Sequence, residues 1–123
     1  MSSEHKLQLK RVYEPWCESD GKRVLIDRIW PRGVSKGNAK VDIWLKQIAP
    51  SQDLRAWFSH DPERFDAFRS AYQMELSSQE EKRTAVETVL GELCEGDVTL
   101  LYGAKDSVHN HAVVLYNYLQ TRR

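Results

Sequence analysis

Three stretches of the chain have the hydrophobic pattern of buried β-strands. Lys6 to Tyr13 begins with alternating apolar and polar residues, as expected of a strand with one face on the core. Arg23 to Ile29 and Val98 to Tyr102 contain consecutive apolar residues, a pattern typical of strands that are covered on both faces of a parallel sheet. The pattern therefore predicts a sheet that is at least partly parallel.

Helices are predicted where apolar residues recur at steps of three and four. A short helix is expected after Ser51, a favourable N-cap residue, and a longer one from Asp61-Pro62-Glu63 to about Leu76. A capping box from Ser78 to Glu81 indicates the start of the next helix, which Gly96 ends. The side chains predicted to face the core from the two longer helices are Phe65, Phe68, Tyr72, Leu76, Val86, Val89, Leu90 and Leu93.

The remaining segments complete one domain. Pro31 to Lys40 is interpreted as an exposed loop, and Asp42 to Ala49 as either a short strand or a helical turn. A last helix is expected from about Val108. Its predicted inward residues are Val114, Leu115, Tyr118 and Leu119. This order of elements favours a single compact α/β domain over residues 1–123, with a small sheet flanked by helices, and residues 1–5 are expected to be a disordered N-terminus.

The composition is that of a globular chain without net charge. Hydrophobic residues make up 41% and charged residues 29% of the 123 residues, which is consistent with a packed core throughout. Residues 1–60 hold 11 basic and 7 acidic residues, and residues 61–123 hold 7 and 11. The neutral total argues against indiscriminate binding to nucleic acid, whereas the basic first part leaves room for a local anion site.

The two cysteines give no sign of a disulfide framework or a zinc site. Cys17 and Cys94 are far apart and belong to no C-x-x-C pair. No apolar run approaches the ~18 residues of a membrane span, and the first residues lack the apolar region of a signal peptide. We expect a reduced, cytoplasmic setting without a membrane partner, with Cys94 as a small core residue and Cys17 as a loop thiol.

Familiar catalytic signatures are missing from the chain. It has no G-x-x-x-x-G-K-[ST], no G-x-G-x-x-G, no G-x-S-x-G and no H-E-x-x-H. NTP hydrolysis by a P-loop, dinucleotide redox chemistry and common serine hydrolysis are therefore disfavoured. Candidate chemistry has to be sought at the ends of the predicted strands.

The segment from Asp27 to Gly33 follows a buried strand and contains Arg28 and Arg32. Ligands of open α/β sheets bind beyond the carboxyl ends of strands, and arginine holds carboxylate or phosphate through two parallel hydrogen bonds. The alternative interpretation is an internal salt bridge between Asp27 and either arginine, with Trp30 and Pro31 packing the turn. The sequence leaves both interpretations open.

The segment from Gly103 to Asp106 likewise follows a buried strand and precedes a helix. Lys105 and the free N–H groups at that helix start would form an anion site. The structural interpretation, in which Gly103 permits a turn, Asp106 caps the helix and Lys105 is solvated, is favoured for this segment alone. If the two strands are neighbours, however, Arg28, Arg32 and Lys105 converge on one rim.

Histidines add candidates for proton transfer at the same rim. Asn110 and His111 lie on the first turns of the last helix, so His111 could act as a proton carrier or a ligand contact. His109 and His111 point in different directions on a helix, and no metal site is predicted. Among residues 55–64 we favour structural roles, with the exception of Arg55, whose charge has no obvious partner.

Several segments together resemble the YeaO-like family of small bacterial proteins, a domain of unknown function. The segments are Asp20-Gly21, Arg23 to Arg28, Trp30 to Gly33, Trp44 to Lys46, Ala49 to Ser51, Leu54-Arg55, Trp57-Phe58, His60 to Pro62, Thr99 to Tyr102, Ala104 to Asp106 and Asn110 to Ala112. The resemblance implies a bacterial, cytoplasmic protein but no particular activity, cofactor or partner. The candidate residues that it places in signature segments are Asp27, Arg28, Arg32, Arg55, Lys105, Asp106, Asn110 and His111.

The leading hypothesis is an enzyme or sensor that binds a small anion, most plausibly phosphorylated or nucleotide-like. Arg28 and Arg32 would hold the anion, Lys105 would complete the pocket, and Asp27 or His111 would handle protons. The second hypothesis is a nucleic-acid-binding module, which requires a positive face with aromatic rings on it. The third is a structural or partner-binding protein without catalysis. The sequence defines no cofactor, strand order or oligomeric state.

Overall fold

A computed structural model describes residues 5–123 and contains four strands in one sheet within that range. The strands are β1 (Leu7–Arg11), β2 (Lys22–Leu25), β3 (Ile43–Trp44) and β4 (Val98–Tyr102). Their order is β1-β4-β2-β3, and every pairing is parallel. The predicted α/β class is therefore confirmed, and the sheet is entirely parallel. The sequence left the strand order open, and the structure places β2 and β4 next to each other.

Consecutive apolar residues in β2 and β4 are explained by burial on both faces of the sheet. Val24 pairs with Leu100 and belongs to the core beneath the helices, whereas Leu25 pairs with Leu101 and belongs to a smaller cluster on the opposite face. β2 ends at Leu25 and not at Ile29 as predicted. The chain then turns away, although the Ile26 N–H still bonds the Leu101 carbonyl at 3.1 Å.

Five α-helices and three 3-10 turns connect the described strands. The helices are α1 (Lys36–Ala39), α2 (Gln52–Phe58), α3 (Phe65–Ser78), α4 (Glu80–Glu95) and α5 (His111–Gln120). The 3-10 turns are Glu18–Asp20, Lys46–Ile48 and Pro62–Arg64. The predicted N-caps are confirmed at Ser51, whose Oγ accepts from the Leu54 N–H, and at Asp61, which accepts from the Glu63 N–H and precedes the 3-10 turn.

Two predictions about connecting segments were wrong or incomplete. Ser78 does not cap α4, because it still belongs to α3 and its Oγ donates to the Met74 carbonyl at 2.7 Å. Gln79 precedes α4 and makes no side-chain cap. The segment interpreted as an exposed loop contains the short helix α1, which Ser35 caps, and the segment left open before Pro50 contains both a two-residue strand and a 3-10 turn.

The helices α3, α4 and α5 pack on one face of the sheet through the predicted apolar positions. Phe68, Tyr72 and Leu115 are at most 1% exposed. Cys94 was predicted to be a core residue, but its side chain is exposed. It lies one turn beyond Leu90, which is itself only partly buried, so this edge of α4 faces away from the sheet.

The opposite face of the sheet has no long helix and is covered by the segments after β1 and β2. Trp30 and Trp44 pack there against Val12, Leu25 and Leu101. No helix in the described range is long and apolar enough to cross a bilayer. The N-terminus was predicted to be disordered, and its residues 1–4 lie outside the part of the chain that the structure describes.

Candidate functional site

A concave pocket of about 850 Å³ opens at the carboxyl ends of β2 and β4. The ends of neighbouring parallel strands lie at one edge of the sheet, so the segments that follow them form two of its walls. The N-terminus of α5 and the residues around the end of α2 form the others. The ionisable side chains that line the pocket are Asp27, Arg28, Arg32, Arg55, His60 and His111.

Asp27 connects the two strand ends at the floor of this pocket. Its Oδ2 accepts a hydrogen bond of 2.9 Å from the Gly103 N–H. The predicted alternative, a salt bridge from Asp27 to Arg28 or Arg32, is not formed among residues 5–123. The carboxylate therefore holds the backbone of the following strand end and leaves both arginines uncompensated.

The other oxygen of Asp27 lies beside the ring of His111. His111 Nε2 is 3.2 Å from Asp27 Oδ1 and also 3.2 Å from the Ile26 carbonyl oxygen. The ring N–H is directed to the carbonyl, and Oδ1, although buried, accepts no hydrogen bond from residues 5–123. Because a carbonyl can only accept, Nε2 bears the proton, and Nδ1 of the neutral ring is left as an acceptor.

The side chains of the pocket arginines form no ion pairs and no hydrogen bonds with residues 5–123. The Arg28 Nε is buried and donates no hydrogen bond. Arg32 and Arg55 are exposed, and their side chains make no ion pair or hydrogen bond with residues 5–123. Three guanidinium groups thus share the pocket with one carboxylate, so its charge is positive.

Two predicted rim residues do not line the pocket. Lys105 is exposed and does not line the pocket. The carbonyls of the preceding Gly103 and Ala104 accept from the guanidinium of Arg11 at 3.1 and 2.9 Å. Asp106 accepts from the N–H groups of Val108 and His109 at 2.9 Å. These two bonds and a third from the His109 ring lower the pKa of Asp106 to about 2.

Asn110, not Asp106, caps the last helix. The predicted helix start near Val108 was wrong, because residues up to Asn110 form a turn around the Asp106 carboxylate and α5 begins at His111. The buried Asn110 side chain accepts from the Val113 N–H at 3.0 Å and donates to the Asp106 carbonyl at 2.7 Å. This cap places His111 at the pocket floor.

Sequence reasoning missed one wall of the pocket, at Ser59 and His60. Both residues have left-handed backbone conformations, with φ of 48° and 59°, and both line the pocket. Such angles are uncommon for residues other than glycine, and although histidine adopts them more often than most residues do, serine gives no such signal. Asp61 behaves as the predicted cap, and Arg64 pairs with it at 3.7 Å while covering the Trp57 ring at 5.2 Å.

No group of three or more His, Cys, Asp or Glu side chains within residues 5–123 is arranged to hold a metal ion. The candidate chemistry of the pocket is therefore that of arginine, histidine and a single carboxylate. A buried donor and a buried acceptor that form no hydrogen bond with residues 5–123 stand at adjacent positions, on Arg28 and Asp27. Buried polar groups are rarely left unpaired, so these two atoms mark the part of the pocket suited to a polar ligand.

Comparison with known proteins gives a family but no activity. A family model described as the inactive DUF488-N3 subclade matches residues 6–123. The uncharacterised protein YeaO of Escherichia coli (strain K12) is 39% identical over 115 residues, which cover 94% of this chain and 97% of YeaO.

Further relatives occur in mycobacteria. Uncharacterised proteins of Mycobacterium tuberculosis (strain ATCC 25618 / H37Rv) and Mycobacterium bovis (strain ATCC BAA-935 / AF2122/97) are each 53% identical over 76 residues, or 62% of this chain. The match spans 64% of the length of each of these relatives, slightly less than two thirds. No solved structure matches the chain.

Proposed function

We propose that the chain, which belongs to the inactive DUF488-N3 subclade, is a cytoplasmic bacterial protein that binds a small phosphate-bearing or nucleotide-like anion. The chain is similar to YeaO over nearly its whole length. The observation that carries the proposal is a pair of buried atoms that form no hydrogen bond with residues 5–123, Arg28 Nε and Asp27 Oδ1, in the arginine-lined pocket. A phosphate monoester with a neighbouring hydroxyl group supplies both the acceptor and the donor that these atoms need.

The charge of the pocket favours an anion. Arg28, Arg32 and Arg55 line it without carboxylate partners among residues 5–123, and Asp27 is the single acid in the lining. A guanidinium group stays charged and binds phosphate through two parallel hydrogen bonds. Hydrogen bonds to a charged group contribute about 1.5 to 3 kcal/mol each, so removing one arginine should have a measurable effect.

The size and apolar walls of the pocket favour a ligand larger than inorganic phosphate. Its volume of about 850 Å³ is within the range of roughly 300 to 1,000 Å³ of small-molecule sites. Apolar side chains form part of the lining, including Pro31, Pro50, Phe58 and Phe68. A ligand with a flat ring next to its phosphate would use both the apolar walls and the arginines.

A binding role is favoured over catalysis by the description of the family and by the geometry of His111. The family model describes an inactive subclade. His111 Nε2 is hydrogen-bonded to the Ile26 carbonyl and is also 3.2 Å from Asp27 Oδ1, so the carboxylate is not the sole group that orients the ring. In this proposal Asp27 and His111 contact the ligand. Roles in proton transfer are the alternative, and ligand turnover would reveal them.

The test is calorimetric titration with inorganic phosphate, ribose 5-phosphate and nucleoside monophosphates, followed by thermal unfolding with the best ligand. At 100 times its dissociation constant a ligand should stabilise the fold by about 2.7 kcal/mol. Arg28→Ala should weaken binding by roughly 10- to 100-fold, because a charge-assisted hydrogen bond is lost. The matched control is Arg83→Ala, since Arg83 is exposed on α4 and does not line the pocket.

Two results would contradict the proposal. One is the absence of binding by any of these anions at millimolar concentration. The other is equal weakening by Arg28→Ala and Arg83→Ala, because binding would then follow total charge and not the pocket. Disappearance of the ligand during incubation, abolished by His111→Ala, would replace the binding role with a catalytic one.

A further inference from the structure

A second surface combines aromatic rings with cations on the sheet face that lacks long helices. Four rings lie in or beside the segments that cover this face: Tyr13, Trp16, Trp30 and Trp44. Each ring has one cation close to it. In the same order, the cations are Arg11 at 4.7 Å, Lys40 at 5.6 Å, Lys36 at 5.8 Å and Lys46 at 4.5 Å from the ring centroids. We call these eight residues the aromatic face.

Packing on a small apolar cluster explains why Trp30 and Trp44 lie on this side of the sheet. Side chains at Val12, Leu25 and Leu101 point away from the helices and form the smaller core cluster. Trp30 and Trp44 pack on that cluster with their rings in edge-to-face contact at 5.4 Å. Both side chains are only partly buried, so part of each ring remains accessible.

Hydrogen bonds hold the two outer rings beside this pair. The Tyr13 hydroxyl donates to the Arg32 carbonyl at 2.9 Å, which connects Tyr13 to the turn that follows Trp30. Next to Trp16, the carbonyl of Pro15 accepts from Lys10 Nζ at 2.8 Å. The Tyr13 and Trp16 side chains are nevertheless 47% and 49% exposed, which is unusual for rings of this size.

The cations of the aromatic face are not neutralised by neighbouring acids. Arg11, Lys36, Lys40 and Lys46 have no carboxylate within ion-pair distance among residues 5–123. Residues 10–46 contain nine basic and five acidic residues, and the buried carboxylate of Asp20 is already paired with Lys10 and Arg23. The face is therefore positive, whereas residues 61–123 bear the compensating negative charge.

We propose that the aromatic face binds single-stranded nucleic acid. Bases stack on the accessible rings of Tyr13 and Trp16, and the phosphates contact Lys36, Lys40 and Lys46. Sequence-tolerant binding of single strands uses this combination, a positive surface that follows the backbone and aromatic rings on which unpaired bases stack. An exposed cation–π contact is weak compared with base stacking, so a base can displace a lysine from a ring.

This proposal does not depend on an anion in the pocket. Tyr13, Trp30 and Arg32 lie at the border between the two surfaces, but the lysines of the aromatic face do not line the pocket. The acidic residues of α4 lie on the other side of the sheet, so they do not cancel the positive potential at the aromatic face. The neutral total charge of the chain weakens only the attraction of a nucleic acid at long distance. Binding is accordingly expected at low salt and should weaken steeply as salt rises.

The experiment measures fluorescence anisotropy of a labelled oligodeoxythymidine of about twelve nucleotides, a length within the usual site size of single-strand binders. The test variant is Lys36→Glu with Lys40→Glu, and the matched control is Arg69→Glu with Arg83→Glu on α3 and α4. Both double variants change the net charge equally. Circular dichroism verifies that each variant is folded.

Wild type and the control should bind alike, and the test variant should bind at least about tenfold more weakly at 50 mM salt. For the test variant, the slope of log affinity against log salt concentration should be smaller in magnitude by about 1.4, since each of the two lost phosphate contacts with a single strand accounts for about 0.7. Trp16→Ala should weaken binding roughly 5- to 100-fold without changing that slope, because it removes stacking and no charge.

Three outcomes would overturn the proposal. They are no binding by wild type at low salt, equal weakening by the test and control variants, and equal affinity for a duplex of the same length. Arg28→Ala separates this proposal from the anion pocket. Arg28→Ala should weaken nucleotide binding by roughly 10- to 100-fold and leave binding of the strand intact. Loss of strand binding in Arg28→Ala alone would place the strand in the pocket and refute a site on the aromatic face.

Discussion

The Asp27 carboxylate accepts a hydrogen bond of 2.9 Å from the Gly103 N–H and thereby joins the ends of β2 and β4. Asp27→Ala leaves this partly buried N–H without a partner, so it should lower the free energy of unfolding by about 1 to 3 kcal/mol. Asp27→Asn retains a carbonyl oxygen that can accept from Gly103 and should cost less. Urea denaturation of the three proteins measures the difference. Equal losses in the two variants would show that the charge matters more than the hydrogen bond.

Tyr72 donates a buried hydrogen bond of 2.6 Å to the Ile48 carbonyl, connecting α3 to the turn before the pocket. Burial, with the nearby Glu75 and Asp27, raises the pKa of Tyr72 well above its usual value, so the hydroxyl remains a donor. Tyr72→Phe should lower the free energy of unfolding by about 1 to 3 kcal/mol.

The control for Tyr72→Phe is Tyr118→Phe. Tyr118 is also buried, but its hydroxyl bonds no described residue, so the substitution should change stability by less than about 0.5 kcal/mol. Similar losses at both positions would mean that the hydrogen bond to Ile48 contributes little.

Asp20 should make stability depend on pH in the acid range. Burial alone would raise the pKa of Asp20, but hydrogen bonds from Lys10, the Cys17 N–H and Arg23 outweigh it and lower the pKa. The contribution of Asp20 to stability is therefore complete above the pKa that Asp20 has in the unfolded chain, and it is lost as the pH falls through the lower pKa of the folded protein. Asp20→Asn should cost about 3 to 5 kcal/mol at neutral pH, because Arg23 then keeps a buried, uncompensated charge.

Chemical denaturation of Asp20→Asn and wild type between about pH 7 and pH 2 tests this dependence. The two stability curves should converge toward acid as the wild-type carboxylate is protonated. A constant gap between them across the range would show that the ion pairs with Lys10 and Arg23 are not its source.

Asp106 should titrate at unusually low pH. Its carboxylate accepts from the Val108 and His109 N–H groups and from the His109 ring, and these bonds lower its pKa to about 2. A carbon-13 NMR titration of the side-chain carboxyl measures the midpoint directly. His109→Ala should raise the midpoint toward 3.8, although the two backbone bonds remain. An unchanged midpoint would assign the whole effect to the backbone.

The neutral ring of His111 should bear its proton on Nε2. This nitrogen donates to the Ile26 carbonyl, which has no proton to offer in return. Nitrogen-15 NMR of the imidazole at alkaline pH distinguishes the two tautomers. Protonation on Nδ1 would remove the acceptor that the pocket offers to a ligand hydroxyl and would require a different orientation of the ring.

Local patterns in the sequence were sufficient for the longer strands and helices, though not for all of their ends, and for most of the core. The steps of three and four in α3 identified Phe68 and Tyr72, and both are buried. Consecutive apolar residues identified β2 and β4 as strands covered on both faces. These inferences succeed because helical and strand periodicities relate residues that are close in the chain.

The candidate site was only partly predictable. Arg28, Arg32 and His111 line one pocket together with Arg55, which no sequence pattern assigned to the same rim, and Lys105 lies outside this lining. The Gly103 and Ala104 carbonyls before Lys105 accept from Arg11, which is 94 positions earlier than Lys105. The wall at Ser59 and His60 depends on left-handed backbone angles, of which serine gives no signal.

The sequence by itself therefore determined which segments are strands and helices, the apolar faces that pack, and the basic character of the strand ends, because each of these is a property of neighbouring residues. The tertiary structure decided the strand order and placed Asp27 against Gly103 and His111. It also placed three of the four tryptophans on the sheet face without long helices. Those relationships join residues that are far apart in the chain. Their geometry follows from strand pairing and packing, which cannot be inferred from the pattern of neighbouring residues.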